Sequence, residues 1–212
     1  MTQMEEEDNL DTKRLASVGK GSIAARRKNF RISTSLSVDY NCTKLLDYLY
    51  LGGQEVTTEK FVMKDTLKIT HILNVTIEND CHFRDDFQYM HIKLADSTDR
   101  AKADLHGILD QAYAFIEDAR RCGGSVLIHC SVGMSRSASL ALAYLMISQK
   151  MTLYQAFVHT KTKRPVTAPN VGFMEQLIEY ERSLFDGVTS FDLSTYRENR
   201  FQSAEKFEIV KK

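Results

Sequence analysis

The chain has 212 residues, 28 basic against 28 acidic side chains with no formal net charge, and 43% hydrophobic residues. That is enough for one globular domain with terminal extensions. The charge balance removes the long-range basic field on which nucleic-acid binders rely, and the apolar content removes wholesale disorder.

The longest apolar run, eight residues from Leu140 to Ile147, is far shorter than the roughly 20 residues a membrane-spanning helix needs. No transmembrane segment is expected. The first residues, MTQMEEEDNL, lack the basic and apolar regions of a secretory signal, and Thr2 stands where myristoylation requires glycine. A cytoplasmic or nuclear location follows as the expectation. The four cysteines form no Cys-x-x-Cys pair and the six histidines no His-x-x-x-His pair, so free thiols, no metal site and no cofactor are expected.

Residues 1–11 carry five acids and no base, and residues 12–31 carry seven bases and no acid. Neither block has a core-building period, so residues 1–38 read as a flexible extension. Its RRKNFR stretch (26–31) is either a solvated tail or a basic docking or nuclear-import patch. From Asp39 apolar segments alternate with turn residues. LLDYLYL (45–51) reads as a strand closed by Gly52 and Gly53, EKFVMKDTL (59–67) as a short helix, and ITHILNV (69–75) as a buried strand. FQYMHIKL (87–94) is a further strand. Leu105, Ile108, Leu109, Ala112, Phe115, Ile116 and Ala119 recur every three or four residues, one face of an amphipathic helix that Gly123-Gly124 ends. SVLIH (125–129) reads as a strand buried inside a parallel sheet. Three helices follow, over 135–149, from the N-cap Thr152, and over 170–185. The fold class is therefore α/β, a central mostly parallel sheet with helices on both faces. The folded domain is placed at 39–186, and the polar residues 187–212, whose aromatics share no period, as a loosely ordered C-terminal tail.

The chemistry concentrates in SVLIHCSVGMSRSAS (125–139): a strand, a short loop with Gly133, and a helix N-terminus. Such a loop turns successive backbone N–H groups and the positive end of the helix dipole into one concavity, which binds a tetrahedral dianion. Cys130 opens it, and the same field favours a thiolate nucleophile at neutral pH. Arg136 closes it, where a guanidinium fork can hold two phosphoryl oxygens. Cys-x5-Arg alone is a weak pattern in a chain with four cysteines. Only Cys130 has an arginine at the sixth position after it, and only there do a strand and a helix flank the pair.

His129-Cys130-Ser131-Val132-Gly133-Met134-Ser135-Arg136-Ser137 resembles the His-Cys-x-x-Gly-x-x-Arg-Ser signature of cysteine-dependent protein phosphatases. Ala143 to Met146 resembles the dual-specificity branch. YLYLGG (48–53), ILNVTIE (72–78), FQYMHIKLAD (87–96) and the segment from Lys163 to Phe185 are similar to the small, atypical members of that branch. The resemblance implies hydrolysis of phosphotyrosine and phosphoserine/phosphothreonine through a cysteinyl-phosphate, without metal. By that resemblance Cys130 is the nucleophile, and Arg136 binds phosphate with the loop residues Ser131, Val132, Gly133, Met134 and Ser135. Ser137 assists departure of the thiolate. His129 sets the thiolate environment or simply holds the loop. Protonation of the leaving oxygen needs an acid. Asp96, Asp99 and Asp104 are the candidates, and the resemblance selects Asp96 with Asp99 as runner-up. Asn170 matches a residue bracing the loop, or is a plain helix cap. Met174 stands where some relatives carry a large aromatic.

The five residues between Cys130 and Arg136 include no base. Branches of the resembled family that act on inositol lipids carry extra bases in this loop, so the resemblance implies phosphoprotein substrates, with MAP kinases and other signalling kinases among the candidate partners. Nucleic acid is not expected as a partner. Tyr50 and Met134 are candidates for the pocket rim or for ordinary packing. The alternative function is a catalytically weak phosphoprotein-binding module that keeps the loop for docking.

Overall fold

The computed structural model describes residues 42–207; the expected N-terminal extension, RRKNFR included, lies outside the described residues. Five strands form one sheet in the order β1-β2-β5-β3-β4. They are β1 (Cys42–Leu46), β2 (Leu49–Gly52), β3 (Ile69–Asn74), β4 (Gln88–His91) and β5 (Ser125–His129). Only the β1–β2 pair is antiparallel. β5 sits centrally, paired in parallel with β2 on one side and β3 on the other, which is why Val126, Leu127 and Ile128 are apolar in succession and all fully buried.

Among the described residues there are five α-helices, α1 (His106–Arg121), α2 (Arg136–Ser148), α3 (Leu153–Lys163), α4 (Val171–Leu184) and α5 (Leu193–Asn199), the first four where periodicity and caps place them. Leu109, Ala112, Ile116 and Ala119 of α1 are buried, so the spacing of the apolar residues names the inward face. Thr152 and Gln155 form a reciprocal capping box at α3, and Asn170 caps α4 by accepting from the Phe173 N–H. Alternation along the strands divides the core. Leu73, Val126 and Ile128 join α1 to α4 in one apolar cluster. Ile72 and Leu127 point to the opposite face, where helical turns at 55–58 and 62–66 pack with Val56 and Met63 fully buried. Met174 is buried in the main cluster.

Three expectations change. LLDYLYL is not one strand: the chain reverses at Asp47-Tyr48, and Leu46 pairs with Leu49. The Asp47 side chain stands in solvent beside Lys44, 3.0 Å away, so the aspartate marks a tight turn between two apolar strands. The expected helix over 59–67 winds as a π-type turn over Val62–Thr66. The expected loose tail from residue 187 is instead packed as far as Phe207. Phe191, Tyr196 and Phe207 surround Phe157, with ring centroids 5.2, 5.6 and 4.8 Å from it. Each anchor comes from a different local structure, so no common period exposed them, yet burying one aromatic stabilises by about 1.5–3 kcal/mol.

Candidate active site

The loop between β5 and α2 takes its shape from the partners of its carbonyl groups. His129 O accepts from the Val75 N–H at 2.9 Å, Ser131 O from the Gln54 N–H at 3.0 Å, and Met134 O from the Ala168 N–H at 2.9 Å. The guanidinium of Arg164, fully buried, donates to Val132 O at 2.9 Å and Gly133 O at 2.8 Å. Every one of these carbonyls points outward. The N–H of a trans peptide points opposite to its C=O, so the amides of the following residues, Val132 to Ser135, face the interior of the loop. That is the cradle expected for phosphate.

Gly133 is required by this arrangement. Its φ is +73°, and a Cβ there would stand 2.4 Å from Gly52 O and 2.6 Å from Arg164 Nη2. Gly53 supports the same close approach, since a Cβ on it would lie 3.1 Å from the carbonyl oxygens of Ser131 and Val132. The Gly52-Gly53 pair that closes β2 is therefore the floor of the loop.

Cys130 is 2% exposed. Its Sγ accepts from the Gly133 N–H at 3.2 Å and the Ser137 hydroxyl at 3.1 Å, and it lies at the N-terminal end of α2, where the helix dipole favours an anion. His129 is fully buried, with Nδ1 3.4 Å from Cys130 O. Burial pushes its imidazole down to about 4, so the ring is neutral at physiological pH and adds no cationic charge beside the sulfur.

Arg136 brings together groups from three other parts of the chain, at Glu78, Ser131 and Asp96. Nη1 and Nη2 donate to the two carboxylate oxygens of Glu78 at 2.9 and 2.6 Å, and Nη2 also reaches Ser131 Oγ at 3.0 Å. Glu78 further accepts a short hydrogen bond from the Ser131 hydroxyl. Bidentate pairing with Arg136 holds the Glu78 carboxyl down to about 2. Glu78 thus occupies the terminal edge of the guanidinium. Nε is buried without a hydrogen-bond partner among the described residues, 3.8 Å from Asp96 Oδ2.

The strand expected over 87–94 ends at His91, and Asp96, five residues beyond it, comes within reach of the loop. Its Oδ1 accepts from the Ser135 hydroxyl at 2.8 Å and the Asn170 amide at 2.7 Å. Asn170 also donates its N–H to Ser135 Oγ at 3.0 Å while its Oδ1 caps α4, so bracing and capping are two faces of one residue. Asp99 is placed differently: its carboxylate accepts from the Ala101 N–H at 3.1 Å and lies 3.5 Å from Lys102, an exposed turn. Of the two rim candidates, Met134 is half-buried in the loop, whereas Tyr50 is buried in β2 opposite Leu127. Val132 is the exposed loop residue.

Two residues with evident parts in this geometry, Glu78 and Arg164, had no assigned role in the sequence reading. Arg164 left a trace: Leu153, Ala156, Phe157, Thr160, Lys161 and Arg164 continue one buried helical stripe from apolar into polar residues, and a charge on such a stripe needs internal partners. Among the described residues no group of three or more His, Cys, Asp or Glu side chains is placed to hold a metal ion.

The family profile described as dual specificity phosphatase, catalytic domain, matches residues 49–183. Dual specificity protein phosphatase 1 of Arabidopsis thaliana is 42% identical over 147 residues, covering 69% of this chain and 72% of that protein. Dual specificity protein phosphatase 1 of Homo sapiens is 36% identical over 149 residues, covering 70% of this chain but 40% of the human protein. The crystal structure of human DUSP28 superposes with a TM-score of 0.64 at 29% identity, covering 71% of this chain and 99% of that one. Human tyrosine phosphatase-like serine/threonine/tyrosine-interacting protein gives a TM-score of 0.63 at 29% identity over 68% and 98%. The strand, loop and helix that cradle Cys130 therefore sit in a hydrolase domain of known kind, and the chain belongs to the dual specificity phosphatase family, whose substrates are phosphorylated proteins.

Proposed function

We propose that the chain hydrolyses phosphotyrosine and phosphoserine/phosphothreonine in proteins by two-step transfer through Cys130. The phosphoryl group seats on the inward amides of Val132 to Ser135, with Arg136 Nε–H on a phosphoryl oxygen. The Cys130 thiolate attacks phosphorus as the bond to the leaving oxygen breaks. Asp96 protonates that oxygen. With Oδ1 taken by Ser135 and Asn170, Oδ2 carries the proton, and Oδ2 is the oxygen beside Arg136. Asp96 then accepts a proton from the water that attacks the cysteinyl-phosphate, and the Ser137 hydroxyl stabilises the sulfur as it leaves. The observation that carries this reading is the unpartnered, buried Arg136 Nε–H, set between the Cys130 loop and Asp96.

Doubly phosphorylated signalling kinases, MAP kinases among them, fit as substrates, because a human relative is a dual specificity protein phosphatase and no base lies between Cys130 and Arg136. Action in cytoplasm and nucleus fits the same role in signalling. The test is phosphate release from an aryl phosphate and from Thr/Tyr doubly phosphorylated peptides, comparing the full chain with Cys130→Ser. Turnover abolished by the substitution is the expected result. A folded wild-type chain that binds the peptides without releasing phosphate would replace this reading with the binding-module alternative.

A further inference from the structure

We infer that the C-terminal segment 191–207 is a positioning element for the catalytic acid. The matched family domain ends at residue 183, before this segment begins. The link is the strip Thr167 to Asn170, which lies between the phosphate loop and α5. On its loop side the Ala168 N–H donates to Met134 O at 2.9 Å, and Asn170 holds Ser135 Oγ, Asp96 Oδ1 and Ser97 O at 3.0, 2.7 and 3.2 Å.

On the other side three consecutive carbonyls of the strip are held by donors from α3, α5 and Arg200 at the end of α5. Lys161 Nζ donates to Thr167 O at 2.7 Å, Arg200 Nη2 to Ala168 O at 2.8 Å, and the Tyr196 hydroxyl to Pro169 O at 2.6 Å. Lys161 also donates to Arg200 O at 3.3 Å, tying the two cations' segments together. The strip is therefore fixed from both faces, and Pro169 adds a locked φ immediately before Asn170. Tyr196 is a stiff support, since its ring sits in the cluster of Phe157, Phe191 and Phe207.

The proposal rests on Asp96 being the acid. Asn170 sets Asp96 Oδ1, and the C-terminal segment sets Asn170. Cys130 and Arg136 have other supports: the sulfur is held by Gly133 and Ser137, the guanidinium by Glu78. The carbonyls of His129, Ser131, Val132 and Gly133 are held from outside the strip, which touches the cradle only at Met134 O and Ser135 Oγ, so slackening the clamp loosens proton donation most and phosphate binding least. Dependence on the leaving group is the readout that separates this from a general structural role.

The experiment measures kcat and KM of the full chain on p-nitrophenyl phosphate, a good leaving group, and phenyl phosphate, a poor one. The variants are Tyr196→Phe, Arg200→Gln, their combination, Asp96→Asn, and Ile116→Val, buried in α1 away from the clamp, as a destabilised core control, with Tm recorded for each. Tyr196→Phe keeps the ring and removes only the hydroxyl. The double variant is expected to lose about tenfold in kcat on phenyl phosphate and less than about twofold on p-nitrophenyl phosphate, with KM unchanged on both. Ile116→Val is expected to lower Tm with no such selectivity. Equal losses on both substrates, or no loss, with Asp96→Asn still selective, would overturn the clamp alone. Loss of selectivity in Asp96→Asn itself would overturn the acid assignment and the clamp with it.

Discussion

Glu78→Gln isolates the charge that faces the phosphate-binding arginine. The bidentate pair with Arg136 brings the Glu78 carboxyl from 4.5 to about 2, which at 1.36 kcal/mol per tenfold change in proton affinity is about 3 kcal/mol. Half of the Glu78 side chain, 50%, is exposed while Arg136 is 7% exposed, so solvent screening reduces the contribution to about 1–2 kcal/mol. Glutamine keeps the shape and one acceptor oxygen and removes the charge. The folded value lies below the unfolded one, so the stabilisation is full above about pH 5 and is lost as pH falls from 4.5 through about 2. Urea unfolding of both forms is measured at pH 7 and at pH 3; the other carboxylates titrate alike in the two chains and cancel in the difference. The expected gap is about 1–2 kcal/mol at pH 7, more than half closed at pH 3. A gap that is equal at both pH values would refute the ion pair as its source.

Gly133→Ala forces a Cβ into 2.4 Å contact with Gly52 O at a φ of +73°. Strain of about 1–2 kcal/mol and overpacking of about 1–3 kcal/mol are expected in unfolding experiments, with kcat/KM down by roughly a hundredfold or more as the loop amides turn away; near-normal turnover would show that the loop has slack it is drawn without. Arg164→Lys keeps a cation but loses the fork across Val132 O and Gly133 O. A stability loss of about 2–3 kcal/mol and weaker competitive inhibition by inorganic phosphate are expected, and unaltered inhibition would detach Arg164 from the shape of the cradle.

How much of this was legible in the chain depends on distance along it. Cys130, Gly133, Arg136 and Ser137 share one strand-loop-helix unit, so the backbone that presents them is encoded in the same stretch as the chemistry, and the pattern could be read directly. Asp96 and Asn170 were reached through their position after a strand and before a helix, with the resemblance choosing between Asp96 and Asp99. The geometry gives a physical ground for that choice: Asp96 is held by Ser135 and Asn170, whereas Asp99 spends its acceptors on its own turn. Glu78 and Arg164 act on residues 58 and 31 positions away. No local period or cap records such a partner, because a charged side chain in sequence reads the same whether it meets solvent or an arginine.

The C-terminal segment shows why composition misleads at chain ends. Its residues are mostly polar, which satisfies the description of a solvated tail, yet stability follows buried area rather than average polarity. Phe191, Tyr196 and Phe207 are enough to dock it, and once docked its polar groups acquire definite partners. The Asp192 carboxylate caps α5 through the Ser194 and Thr195 N–H groups, the Tyr196 hydroxyl finds Pro169 O, and Arg200 finds Ala168 O. The partners on the strip are backbone carbonyls, which every residue type presents, so they leave no mark in the sequence of 167–170. A contact that joins aromatic anchors on one side to main-chain acceptors on the other is thus visible only in three dimensions, and it reaches Asp96 through Asn170, a residue that sequence reasoning had already singled out.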